Sequence, residues 1–201
     1  MLHSNNAVAI LTLLGLSCMS CGAPRPSDAV VYSCFLDGWV ASNASQGVAH
    51  SCVVLVDSTV SGPEPNQKLS AAEIKDMWLR LQKHMPTLRS DTLGDFVAQN
   101  QMSGTIDTRN IGTTVPVIGL PEAEAIRIFT LEQCWDVFYK RFPQARGVMR
   151  LSRVGCSREA KQVLLYCDFS GGFLAGVGWY YLLDGEGDRW QITAESVARQ
   201  A

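Results

Sequence analysis

Acid–base or nucleophilic chemistry in this chain has few parts to draw on. Three histidines occur, His3, His50 and His84, and seven cysteines, at 18, 21, 34, 52, 134, 156 and 167. Neither His50 nor His84 lies in a His-x-x-x-His or His-Glu arrangement, the spacing that sets two imidazoles on one helix face for zinc. No Gly-x-Ser-x-Gly elbow holds a serine on a strained strand-to-helix turn. Gly171, Gly172, Gly176 and Gly178 lead into a strand rather than a helix, so they lack the helix N-terminus that a dinucleotide pyrophosphate needs. Cys18-Met19-Ser20-Cys21 has redox or metal spacing, but no second such pair follows it. Spacing therefore nominates no catalytic residue, no metal site and no cofactor.

Three residues stand out as binding candidates. Arg153 interrupts an otherwise apolar strand between Leu151 and Val154, where a guanidinium can anchor an anion or a carboxylate. The plainer reading is an arginine paired with Asp168 on the next strand, or one that extends to solvent. Tyr166 and Asp168 belong to that next strand, and one residue of register decides which way they face. Asp184, Glu186 and Asp188 cluster in a turn, where solvated charge explains them.

The elements that must position these residues follow from pattern. Ser27-Asp28 caps a helix over 29–41 with Val31, Cys34, Phe35 and Trp39 on one face, and a strand through 30–35 is the rival. Residues 50–57 read as a buried strand. Ser70-x-x-Glu73 is a capping box for a helix to Met85 that buries Met77, Trp78 and Leu81. A short helix spans 92–99. Residues 101–121 are irregular, with a short strand at 115–118. A strand is expected at 125–129. Thr130-x-x-Gln133 is a second capping box, opening a helix to Phe142. Four strands then occupy 148–156, 161–169, 177–184 and 189–195. A four-residue loop at 185–188 would pair Leu183 with Trp190 and put Trp179, Tyr181, Leu183, Trp190 and Ile192 on one face. The expected fold is a single α+β domain in which a four-stranded antiparallel C-terminal meander packs against several helices.

Composition and the N-terminus bear on location. The chain has 201 residues, 47% hydrophobic and 18% charged, which suits one globular domain. Its formal net charge of −2 gives no basic stripe for nucleic acid. Residues 7–16, AVAILTLLGL, have the length of a signal-peptide core and are too short to span a bilayer. Small residues and two cysteines follow. Residues 1–23 thus read as a signal or lipoprotein-type targeting segment, 24–28 as a linker and 29–201 as the domain. Cys18, after Leu16-Ser17, is the candidate for lipid attachment, with the membrane as partner through that anchor. Gly15 stands where a lipobox carries a large aliphatic residue, and simple cleavage is the plainer outcome. In an exported chain, short connections favour Cys34 with Cys52 as a disulfide.

The strings Val31-Tyr32-Ser33, Thr92-x-x-Asp95-Phe96-x-x-x-Asn100, Trp135-x-x-Phe138-Tyr139-x-x-Phe142-Pro143 and Leu151-Ser152-Arg153-Val154-Gly155, with Gly172–Gly178, Tyr180 and Trp190 after them, resemble an uncharacterised family of small exported bacterial proteins. Cys156 stands where that family carries an aromatic. The resemblance implies export and a shared fold, and carries over no catalytic residue. The function expected is ligand or partner binding by an exported or lipid-anchored protein of the bacterial cell envelope, periplasmic, outer-membrane or secreted. The alternative is a secreted hydrolase whose site lies between the 101–121 loop and the sheet.

Overall fold

The computed structural model describes residues 24–60, 69–172 and 175–200. Cys18 and the rest of residues 1–23, where a targeting segment is expected, lie outside the described residues.

Val53–Val56 has no polar face to offer water, and all four residues are buried. Such a run suits the interior of a sheet, covered on both sides. It forms β1 (Val53–Val56), flanked in parallel by β2 (Val117–Leu120) and by β3 (Val148–Leu151). From β3 onward the pairing is antiparallel, through β5 (Gln162–Ser170), β6 (Gly176–Glu186) and β7 (Arg189–Gln200). A two-residue strand β4 (Gly155–Cys156) continues β3 beyond an irregular step at 152–154 and also pairs with β5. The order is β2-β1-β3-β5-β6-β7. The α+β class holds, but the sheet is a mixed one of seven strands, not a four-stranded antiparallel meander. The C-terminal strands pair as a meander does. The sheet then extends past them because β1 buries both faces and takes a parallel neighbour on each side.

Alternation along β5 divides the core in two. Val163, Leu165 and Cys167 face α1 (Asp28–Ser45), which contributes Val31, Phe35, Leu36 and Trp39. Leu164 and Tyr166 face α2 (Ala71–His84) and α3 (Ser90–Gln99) on the opposite side. On that same side, Val54, Val56 and Val148 are covered by α4 (Glu122–Phe129) and α5 (Cys134–Arg141). One helix thus covers one face, and two helix pairs share the other.

The Ser70–Glu73 capping box is formed in both directions at the start of α2. The second proposed box is not. Thr130 ends α4, and α5 begins at Cys134 with no side-chain cap. The strand expected at 125–129 is the body of α4. Pro121 before the helix, with Glu122 and Glu124 in its first turn, favours a helical start. Ala125 and Ile128, three residues apart, are its buried face. Residues 24–28 are held to the domain: Arg25 pairs with Asp95 at 2.6 Å and also donates to the Val154 carbonyl. The Ser27 hydroxyl accepts from the Val30 amide.

The hairpin between β6 and β7 turns in two residues rather than four. Glu186 pairs with Arg189, and Gly187 takes φ +62°, the conformation that a two-residue turn demands of its first position. Leu183 therefore faces Ile192, not Trp190. At Leu183 the error is two residues, an even number, so Trp190 and Ile192 keep their face; beyond the register break between Leu182 and Leu183 it is three. Tyr181, Leu183 and Trp190 are buried toward α1, with Trp179 and Ile192 partly covered beside them.

Candidate functional site

Arg153 lies in the irregular step after β3, not in a strand. Asn100 holds its backbone there: the Arg153 amide donates to Asn100 Oδ1 at 2.8 Å, and Asn100 Nδ2 donates to the Arg153 carbonyl at 2.9 Å. Its guanidinium points to Asp28, with Nε 3.8 Å from the carboxylate, beside Tyr32 and Thr59 in a cavity of about 350 Å³. Burial raises the Asp28 carboxyl above its ordinary range, against the opposing pull of Arg25 and Arg153.

The expected partnership of Arg153 with Asp168 does not exist. Asp168 accepts from Arg199 Nη2 at 2.5 Å, and Arg199 Nε reaches the Tyr166 hydroxyl at 3.4 Å. Register explains this. Arg150, Asp168, Gly178 and Arg199 stand opposite one another in one row across β3, β5, β6 and β7. Gly178 has no side chain in that row, and the Tyr166 ring fills the space above it, where a Cβ would overlap its hydroxyl. Burial pushes the Tyr166 phenol up to about 12, while the hydrogen bond from Arg199 opposes it. Arg150 turns away to Glu122 at 2.8 Å. Tyr166 and Asp168 are thus brought together, but with Arg199, on the helix-pair side of the sheet and apart from the Arg153 cavity. Arg199 engages Asp168 Oδ2 and the Tyr166 hydroxyl, whereas Asp168 Oδ1 is buried without a hydrogen-bond partner among the described residues.

The site with room for a ligand lies on the other face. A groove of about 760 Å³ runs between α1 and the β6–β7 hairpin, within the usual range for small-molecule sites. Its apolar part is Trp39, Trp179, Tyr181 and Trp190, together with Ile192. Trp39, Tyr181 and Trp190 are buried, whereas Trp179 is only half-buried. The rim is polar, with Asp37 and Asn43 from α1 and Asp188 and Glu195 from the hairpin. Local structure sets these positions. α1 presents Trp39 and Asn43 one turn apart. On β7, Trp190 and Ile192 face the groove. A register break then lets Ala194 pack toward α2 and α3 while Glu195 lines the groove.

The groove has a thiol but no histidine on its lining to activate it. Cys34 is half-buried there, with Sγ 3.3 Å from the Asp188 carbonyl. His50 packs behind the groove wall, its ring 4.5 Å from Trp39 and 6.2 Å from Phe169. Burial, and then Arg146, lower its pKa. His84 is exposed at the end of α2. The open site at Cys156, beside Asp91 and Asp95, also holds no histidine, and burial raises that thiol. Among the described residues, no group of three His, Cys, Asp or Glu side chains is placed to hold a metal ion. Cys34 and Cys52 are both free: Cys34 lies in the groove and Cys52 in the core under α5, with the sheet between them. The expected disulfide is therefore corrected.

Sequence reasoning found the aromatic face but took it as wholly covered core. The missed signal was on α1, which runs beside the hairpin from Cys34, whose Sγ meets the Asp188 carbonyl, through Gly38 at Ile192 to Trp39 and Asn43. The polar residues at 42, 43 and 46, at helical spacing on the last turns of α1, mark where cover gives way to solvent. No helix among the described residues is long and apolar enough to cross a membrane. Comparison of the chain with family models, with curated proteins and with solved structures finds no match.

Proposed function

We propose that this is an exported cell-envelope protein, anchored by a lipid at Cys18 or released by cleavage, that binds a ligand without transforming it. The ligand lies in the groove between α1 and the β6–β7 hairpin. One observation carries the binding reading: an aromatic floor and a polar rim enclose ligand-sized space in which the thiol has no histidine beside it. The export reading is supported by the apolar run at 7–16 and the cysteines after it. The hydrolase alternative has the Asp28 carboxyl in its favour, raised by burial beside Arg153. The other carboxylate in that cavity, Asp107, is engaged by Arg109 and Asn110.

A thermal-shift screen of small soluble compounds against the wild type and Ser42→Trp tests the binding reading. Ser42 is exposed on the groove wall, so the indole fills the groove without entering the core. A ligand at a hundred times its Kd stabilises by about 2.7 kcal/mol. Compounds that stabilise the wild type and not Ser42→Trp support the groove. Equal stabilisation of both places binding elsewhere, and turnover of a hit makes the protein an enzyme.

A further inference from the structure

We infer that the groove takes a small organic cation, an ammonium ion with an apolar body. The inference rests on the groove being the binding site, and it is carried by charge. Asp37 stands on the helix wall, with Asp188 and Glu195 on the hairpin wall. None of the three has a cationic side chain within 4.0 Å among the ion pairs of the described residues. Asp37 accepts from the Thr114 amide and hydroxyl, which fixes its position and leaves its charge uncompensated. Arg189, the one cation on the lining, pairs with none of them.

Elsewhere in the protein, carboxylates are of two kinds: Asp57, Asp76, Glu132, Asp136, Asp184 and Glu186 have no ion pair among the described residues either, while others are neutralised. Asp95, Asp168, Glu122 and Glu124 each have an arginine against them. What sets Asp37, Asp188 and Glu195 apart is place: they stand on two facing walls of one groove, beside its aromatic rings. The rings suit the same occupant. The faces of Trp and Tyr attract cations through their quadrupole, most strongly where water is excluded. The cation–π contact of the described residues is Arg141 over Phe142 on the far face, so Arg189 does not occupy the groove rings. Burial holds the Tyr181 phenol neutral, with Glu195 adding to the effect, so the floor remains an aromatic surface rather than a phenolate. A neutral sugar would also stack on such rings, but three carboxylates give it acceptors and no charge to match. The ammonium sits between the walls against Trp179, the half-buried ring of the lining, and the apolar body of the ligand lies on Ile192.

The test compares choline with 3,3-dimethylbutan-1-ol, its uncharged carbon isostere, and with maltose as a neutral sugar. Titrations follow tryptophan fluorescence in the wild type and in Glu195→Gln. Choline is expected to bind about tenfold or more tightly than the isostere, the scale of a desolvated cation–π contact. Glu195→Gln should weaken choline severalfold and leave the isostere unchanged. Equal binding of choline and isostere overturns the inference, and so does no response to choline. Binding of maltose without choline overturns it as well, yet leaves the groove as a binding site. The comparison with Ser42→Trp judges that broader reading separately.

Discussion

Tyr181 and Glu195 stand directly opposite each other on β6 and β7, although regular pairing counted from the hairpin turn would bring Ala194 to that place. The break in register between Leu182 and Leu183 supplies the extra residue, Thr193. Its hydroxyl donates to the Leu182 carbonyl at 3.4 Å and to Asp184 at 3.0 Å. A bulge inserts one residue and so exchanges the faces of everything after it. Trp190 and Ile192 before it, and Glu195 after it, can therefore share one groove. A single edge strand by this means gives Trp190 to the aromatic floor and Glu195 to the acidic wall.

The floor and the open end of the groove should respond differently to truncation. Trp190 is 4% exposed, and its indole donates to the Gly187 carbonyl at 2.9 Å. Trp190→Ala is expected to cost about 3–5 kcal/mol in urea unfolding. Trp179→Ala, at a half-buried position, should cost roughly half as much or less and should weaken ligand binding. A loss under about 1 kcal/mol for Trp190→Ala would mean that this face is not packed.

These two tryptophans also show what was legible in the sequence. Strict alternation from Trp179 to Leu183 names the face, and any even error in register leaves it intact. Helices capped by local chemistry were legible too, as at Ser70 and Glu73. Strand direction was not. Val53–Val56 says only that both faces are buried, and its parallel partners lie more than 60 residues onward in sequence, at Val117 and Val148. α4 was missed because Ile126, Ile128 and Phe129 favour strands individually, while the signals for a helix lay upstream in Pro121 and Glu122. The groove was hidden because pattern marks a residue as apolar without saying where its covering helix ends. Asp168 and Arg199 belong together only through a row across four strands, which no local spacing encodes.

That row gives a second prediction. A Cβ at Gly178 would meet the Tyr166 hydroxyl. Gly178→Ala should destabilise by about 1–3 kcal/mol through overpacking. Adding Tyr166→Phe removes the colliding oxygen and should recover a substantial part of the loss, the non-additivity expected of neighbours. Strictly additive losses in the double variant would show that the two sites do not touch.

His50 should make stability depend on pH. Burial, assisted by Arg146, lowers its folded pKa below the ordinary 6.5. As pH falls, the unfolded chain then takes up a proton before the folded one, so the contribution of His50 is present above 6.5 and declines as pH falls through the window beneath it. His50 Nε2 has no hydrogen-bond partner, and the ring packs on Trp39 and Phe169, so phenylalanine suits the site. His50→Phe should flatten the stability–pH curve just below 6.5. Identical curves for variant and wild type would remove His50 as the cause.

Cys18→Ser addresses location. With a lipid at Cys18, the substitution should abolish palmitate labelling and release the protein from membranes, since anchoring depends on the attached chains. Unchanged labelling contradicts lipidation at that residue. Absence of labelling in both forms, with the protein recovered outside the cytoplasm, indicates simple cleavage.

The central claim, that a ligand occupies the groove between α1 and the hairpin, is tested most directly at Cys34. This thiol is half-buried on the groove wall, whereas Cys52, Cys134, Cys156 and Cys167 are buried. The rate of Cys34 alkylation, resolved from the other cysteines by peptide mass, reads occupancy of the groove. Binding there predicts that a ligand which raises the melting temperature slows alkylation of Cys34 in proportion to saturation. Stabilisation with an unchanged Cys34 rate would place the ligand elsewhere and contradict the account.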